Sequence, residues 1–274
     1  MKVAIFLDVD RTITADLIQK GFAHALGCEE GYLEIEEGFQ DNPIQSQSFG
    51  DRIIKLFNSH GFTEDRVAQI APTIALQPWA DKLLRLDVDR YFVSSGPSYY
   101  IDWLASRYQI PEGNVFCSNY IFDPKTKKLI RCDAVNHVQK NGFVGARVAE
   151  YDITVGIGDD PKLDQFVGSC TIPLLMAQTE YCMCAPNLAS AVPMIEKIAQ
   201  LAKSRSKESA KPQSEADTLE KLAGLPLGQL FHRFSTGVWV MAATVLIGIA
   251  VTSFGAGAWL MRTLPAVVSA PGGH

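Results

Sequence analysis

An apolar run, Val3 to Leu7, ends abruptly in two carboxylates one residue apart, Asp8 and Asp10, followed by Arg11 and Thr12. Its length and its β-branched and aromatic content are those of a strand buried on both faces of a parallel sheet. Such a strand cannot hide two acids, so it must deliver them to an open end. In open α/β sheets the carboxyl ends of the strands are where ligands bind. Like charges this close repel unless a cation or a shared proton compensates. A hard divalent ion that takes oxygen ligands, Mg²⁺ first among them, is the natural partner.

Two further apolar runs end in residues that such a site needs. Tyr91-Phe92-Val93 is followed by Ser94-Ser95-Gly96-Pro97-Ser98 and a helix-like stretch from Tyr99 to Tyr108. Ile153 to Ile157 is followed by Gly158-Asp159-Asp160-Pro161-Lys162-Leu163-Asp164. Strand, small-residue turn and helix is the order that aims backbone N–H groups at an anion. Asp159, Asp160 and Asp164 make a second acidic cluster, and Lys140 offers a compact positive charge for a phosphate.

These four segments, in this order, resemble the motifs of the haloacid dehalogenase superfamily, in the branch similar to phosphoserine phosphatases. The motifs are DxDxT (Asp8 to Thr12), a strand ending in Ser or Thr (Ser94, with Ser95 the neighbour), a Lys (Lys140), and Gly158-Asp159 with a later Asp (Asp164). The resemblance covers about the first 200 residues. It implies an α/β fold, a Rossmann-like parallel sheet core with an inserted helical cap of the C1 type. It also implies Asp8 as nucleophile, Asp10 as general acid and base, and Ser94 or Ser95 with Lys140 on the phosphate oxygens. Mg²⁺ is then expected on the Asp8 carboxylate, the Asp10 carbonyl and Asp159, with Asp160 or Asp164 in support. Two positions depart from the pattern: Arg11 stands where the family usually has a small residue, and Leu163 takes the four-residue spacing, putting Asp164 at five.

The core is expected over 1–14 and 88–203, and the cap over 15–87. Within the cap, helices are expected over 15–26, 50–60, 64–74 and 80–86 from apolar periodicity, with Gly27, Gly61 and Pro78 as breaks. The phosphoserine-specific members use an acid after the first motif and an Arg in the middle of the cap. Asp16 can stand for the acid, but Arg52 lies only near the place of the Arg, so phosphoserine itself is not the expected substrate. Beyond the cap, 115–122 and 129–130 read as a hairpin-like excursion, 144–151 as a helix, 171–176 as a short strand and 189–203 as a closing helix.

Residues 204–233 read as a linker, rich in Ser, Lys, Glu and Ala at its start. Phe234 to Met261 then contains no charged residue and is bounded by Arg233 and Arg262. It is long enough to cross about 30 Å of hydrocarbon, with Trp239 and Trp259 placed for the two interfaces. A single C-terminal transmembrane helix over 234–261 is therefore expected, with a short tail over 262–274. Lys203, Arg205, Lys207, Lys211, Lys221 and Arg233 precede it and only Arg262 follows, which places the catalytic domain on the cytoplasmic side. Thr244, Gly248, Thr252 and Ala256 form a small-residue stripe through which two such helices can pair into a homodimer.

Met1-Lys2 leads straight into the first strand, so no N-terminal signal peptide is expected. The net charge of −5 and the lack of a basic stripe argue against nucleic acid as partner. Six cysteines show no ligand-like pair of pairs. The reading is a Mg²⁺-dependent phosphatase of a small phosphorylated substrate, held at the membrane. Two alternatives stand beside it: a phosphatase of a lipid headgroup phosphate, and a non-catalytic, membrane-tethered binding module on the same fold.

Overall fold

The computed structural model describes residues 1–40, 46–176, 183–184 and 187–208. Strand β1 (Val3–Leu7) is buried at every position and forms the spine of the sheet. It pairs in parallel with β2 (Asp89–Pro97) on one side and β5 (Ile153–Gly158) on the other, so that Leu7 lies level with Phe92 and Ile157. Outward from β2 come β3 (Val115–Phe122) and then β4 (Leu129–Asp133), which runs antiparallel to β3. Outward from β5 come β6 (Ile172–Leu175) and β7 (Met183–Cys184). The order is β4-β3-β2-β1-β5-β6-β7. The chain leaves β1 toward one side and returns by β5 to the other, so a crevice opens beyond the ends of β1 and β5.

Between β1 and β2 lie α1 (Ile18–Leu26), α2 (Glu29–Gln40), α3 (Ser46–Ser59), α4 (Glu64–Ile70) and α5 (Ala80–Leu84). Helix α1 stops at Gly27, whose φ of 70° is the left-handed conformation that a residue without Cβ adopts most cheaply. Thr63 precedes α4 in extended conformation, but its side chain makes no capping hydrogen bond. The exposed edge of β4 is taken up by α3: Gln47 Nε2 donates to the Cys132 carbonyl and Asn58 Nδ2 to that of Leu129, each at 2.7 Å. A Cβ on Gly50 would lie 2.8 Å from Cys132 Sγ, so this close approach needs glycine. Phe22 of α1 and Phe62, just ahead of α4, meet Tyr99 edge-on at 5.0 and 5.2 Å, which ties the inserted helices to the helix Ser98–Arg107 that follows β2. The segments entering and leaving the helices are paired, with Ala15 N–H on the Ala75 carbonyl and Gln77 N–H on that of Ile13.

After β2 come α6 (Ser98–Arg107), the β3–β4 hairpin and α7 (His137–Gly145); α8 (Leu188–Glu208) closes the fold. Phe6, Tyr91, Val93, Val144, Phe166 and Val167 form the core on the α7 side of the sheet.

The structure differs from the expectations at several places. The sheet is mixed, because the hairpin turns β4 antiparallel. Helix α2 has no counterpart among the expected helices, since Gly31 and Gly38 and its many glutamates mask the Tyr32 and Ile35 repeat. The helix expected over 144–151 lies earlier, at α7, followed only by a short 3-10 turn at Val148–Glu150. Strand β2 continues through Ser94-Ser95-Gly96-Pro97, with a bulge between Val93 and Pro97. Helix α8 runs on to Glu208, so the start of the expected linker is helical. Among the described residues no helix is long and apolar enough to cross a membrane, and the span expected over 234–261 lies outside them.

Candidate active site

The turn after β1 is wound around the Val9 carbonyl, which accepts the N–H groups of Ile13 and Thr14 and the Thr14 hydroxyl at 2.9, 3.0 and 3.1 Å. That winding sends Asp8 and Asp10 to different partners. Asp10 Oδ1 accepts the N–H of Ile18, the first residue of α1, at 2.7 Å. Asp10 Oδ2 lies against Gly96, where any Cβ would collide with it and crowd Ser94 Oγ. Gly96 thus bounds the candidate site, a role that the sequence reading did not single out; its place directly after the two serines was the available signal.

Asp8 is 4 % exposed and faces Lys140, itself 1 % exposed, with Lys140 Nζ 2.8 Å from Asp8 Oδ1 and 2.5 Å from Asp164 Oδ1. Lys140 is aimed by the start of α7, where Asn136 and Gln139 form a reciprocal capping box. Asp164 Oδ2 in turn accepts the backbone N–H groups of Asp159 and Asp160 at 3.0 and 3.1 Å. This close fold-back needs Gly158, since a Cβ there would lie 2.5 Å from Asp164 Oδ2. Asp164 precedes a 3-10 turn, Gln165–Ser169, without capping it; its side chain turns back instead.

Asp159 receives the Thr12 hydroxyl at 3.4 Å and lies 3.4 Å from Arg11 Nε. Of the two serines, Ser94 is buried and accepts the Gly96 N–H at 2.9 Å, whereas Ser95 is exposed and offers its carbonyl to Ser118. Asp160 stays outside the cluster formed by the other acids, its Oδ1 engaged by the N–H groups of Lys162 and Leu163. Asp16 pairs with Lys20 at 2.7 Å, and Arg52 lies exposed on α3. Helix α2 adds Glu36, bonded by the buried Tyr32 hydroxyl at 2.9 Å and close enough to be felt by Asp10.

Crowding and burial set the electrostatics. Burial, then Asp164, push the Asp8 carboxyl well above the ordinary range, against the pull of Lys140. Burial raises Asp10 to about 6, opposed by the Ile18 N–H, Lys140 and Arg11. Burial and then Asp164 raise Asp159 to about 7. For Lys140, burial works to lower the ammonium, but Asp164 and Asp8 outweigh it and hold the charge firmly.

The donor set fits a hard divalent ion. One carboxylate oxygen from each of Asp8, Asp159 and Asp164 lies within 4.8 Å of the others. Asp164 also holds Lys140 with one oxygen and the N–H groups of Asp159 and Asp160 with the other, so it orients the cluster it belongs to.

A pH-dependent stability follows from these acids. Asp159 and Asp10, ordinarily near 3.8, titrate in the fold at about 7 and about 6. The folded, metal-free chain therefore holds more protons than the unfolded one between roughly pH 4 and 7, and its stability falls as pH rises through that window. Thermal melts in EDTA should show a lower Tm at pH 8 than at pH 5.5, reflecting a loss of stability on the order of a few kcal/mol. Mg²⁺ should raise Tm more at pH 8, where its ligands are ionised; equal gains at both pH values would contradict this.

No protein-family model matches this chain, and no curated protein matches it. Solved structures do. The chain is similar to a HAD family hydrolase from Salmonella enterica serovar Typhi, at 16% identity and a TM-score of 0.54 over 64% of this chain. It spans 62% of the length of that hydrolase. It is similar to a substrate-bound phosphoserine phosphatase at 14% identity and a TM-score of 0.55, covering 70% of this chain and 97% of that one. A phosphoserine phosphatase captured as a phospho-aspartyl intermediate analogue matches at 15% identity and a TM-score of 0.51, covering 65% and 87%.

Proposed function

We propose, from the premise that this chain has the fold of HAD-superfamily hydrolases of the phosphoserine phosphatase kind, that it is a Mg²⁺-dependent phosphomonoester phosphatase. The observation that supports it most is the convergence of three distant segments on one point: Lys140 Nζ sits 2.8 Å from Asp8, which shares its cluster with Asp159 and Asp164.

In this reading an Asp8 oxygen bonds to phosphorus as the bond to the leaving oxygen breaks. Asp10 gives its proton to that leaving oxygen, then takes one from the water that attacks the aspartyl-phosphate, freeing phosphate and restoring Asp8. A carboxyl near 6 suits both duties at neutral pH. Lys140 and Ser94 hold the non-bridging oxygens. Asp8 and Asp159, with the Asp10 carbonyl, would hold Mg²⁺, which supplies charge shielding between the carboxylate and the phosphate. The helices over 18–84 serve as the cap, and the uncharged stretch over 234–261 anchors the enzyme to the membrane with its catalytic domain in the cytoplasm.

Phosphate release from a panel of phosphomonoesters should require Mg²⁺, stop in EDTA and return when Mg²⁺ is restored. Release that ignores EDTA, or silence across the whole panel, would overturn the proposal.

A further inference from the structure

Arg11 is built into the site in a manner that its ion pair alone does not explain. Its φ of 57° places it in the left-handed region, which side chains other than Gly, Asn and Asp seldom adopt. The backbone there is held from both sides, its N–H by Thr14 Oγ1 at 3.2 Å and its carbonyl by Gln77 Nε2 at 3.1 Å. The side chain is 43 % exposed, while Asp8 and Lys140 behind it are closed to solvent. Its guanidinium approaches Asp159 through Nε at 3.4 Å and donates no hydrogen bond among the described residues. A fork with five donors is therefore presented at the mouth of the site with most of them unspent.

Its position also has a direction. The Arg11 charge is felt by Asp10 and Asp16 as well as by Asp159. Arg11 follows Asp10 directly in the chain, and Asp10 is the acid assigned to the leaving oxygen, so in the phosphatase reading the guanidinium is within reach of the leaving group. A cation shared by Asp8 and Asp159 would also draw on the one carboxylate that Arg11 touches, loosening the pair.

Resting on the phosphatase reading, we propose that Arg11 is a specificity residue that binds a second anionic group, carried on the leaving group of the substrate. A carboxylate or a second phosphate both match a guanidinium fork. The substrate class is then a phosphomonoester whose alcohol portion bears its own negative charge.

Binding tests this without turnover. Calorimetry in Mg²⁺ would compare propylphosphonate, 3-phosphonopropionate and propane-1,3-bisphosphonate, which share a phosphonate and differ in the far end. The wild type should bind one of the two doubly anionic probes at least ~10-fold more tightly than propylphosphonate, as expected for a charge-assisted bidentate contact. Which one wins identifies the second group. In Arg11→Ala that ratio should collapse toward one, and Arg11→Lys should restore part of it. A wild-type ratio near one, or a ratio unmoved in Arg11→Ala, overturns the inference. If Arg11 only positioned Asp159, the variant would weaken all three probes and Mg²⁺ alike and leave the ratio intact. Failure of the phosphatase reading shows separately, as absence of phosphate release by the wild type from ethyl phosphate, phosphoglycolate and a bisphosphate.

Discussion

Asp8→Asn should abolish phosphate release, by a factor on the order of 10⁴ or more, the scale of losing a nucleophile, while leaving the fold standing. Asn has the shape of Asp but cannot form the covalent bond. The structural argument for an intact fold is specific. Asp8 is 4 % exposed and its carboxylate is pressed by burial, Asp164, Asp159 and Asp10, with Lys140 as its compensation. Removing its charge relieves repulsion, and Lys140 keeps its contact with Asp164. In EDTA the variant should therefore melt no lower than the wild type. Circular dichroism melts beside a phosphate assay read both outcomes, and a variant that retains turnover would end the nucleophile assignment.

Lys140→Met should show the opposite profile and lose stability as well as activity. It strips the counter-charge from two buried carboxylates, at a cost of roughly 3–5 kcal/mol, the range for breaking a buried pair. For a domain of this size that corresponds to a fall in Tm of roughly 6–20 °C. Phosphate release should fall by about 10²-fold or more, since a donor to the developing charge is gone. Adding Asp164→Asn should recover part of the Tm, because one of the two orphaned carboxylates disappears, but none of the activity. If Lys140→Met melted like the wild type, the buried network would not be what holds this end of the sheet together.

How much of this was legible in the sequence depends on how local each signal is. The β1 strand and its two acids were readable because five apolar residues followed by Asp8 and Asp10 state both burial and exit. The β3–β4 hairpin was readable from its turn residues. The shared roles of Asp159, Asp160 and Asp164 were not, because a backbone fold-back decides them: Asp164 reaches over Gly158 to two N–H groups, and Asp160 is spent on its own turn. Helix α7 was not legible although Asn136 and Gln139 carry a capping-box spacing, because Val144, Ala146, Val148 and Ala149 place the clearer apolar pattern further along the chain. Strand β2 outran its apolar run because Ser94 is buried with its hydroxyl satisfied by the Gly96 N–H, a tertiary fact that polarity alone conceals. Glu36 entered the site unannounced because α2 itself was not foreseen.

The stitching between the two segments that join the helices to the sheet has a mechanical corollary. Ala15 is tied to Ala75 and Ile13 to Gln77, so the two flex as one ribbon and not as independent cords. Gln77 also grips the Arg11 carbonyl, and Asp10 clasps the first N–H of α1. In the phosphatase reading, any tilt of the helices on that ribbon would carry Asp10 and Arg11 along with it. Admitting a guest and aligning the acid would then be a single movement.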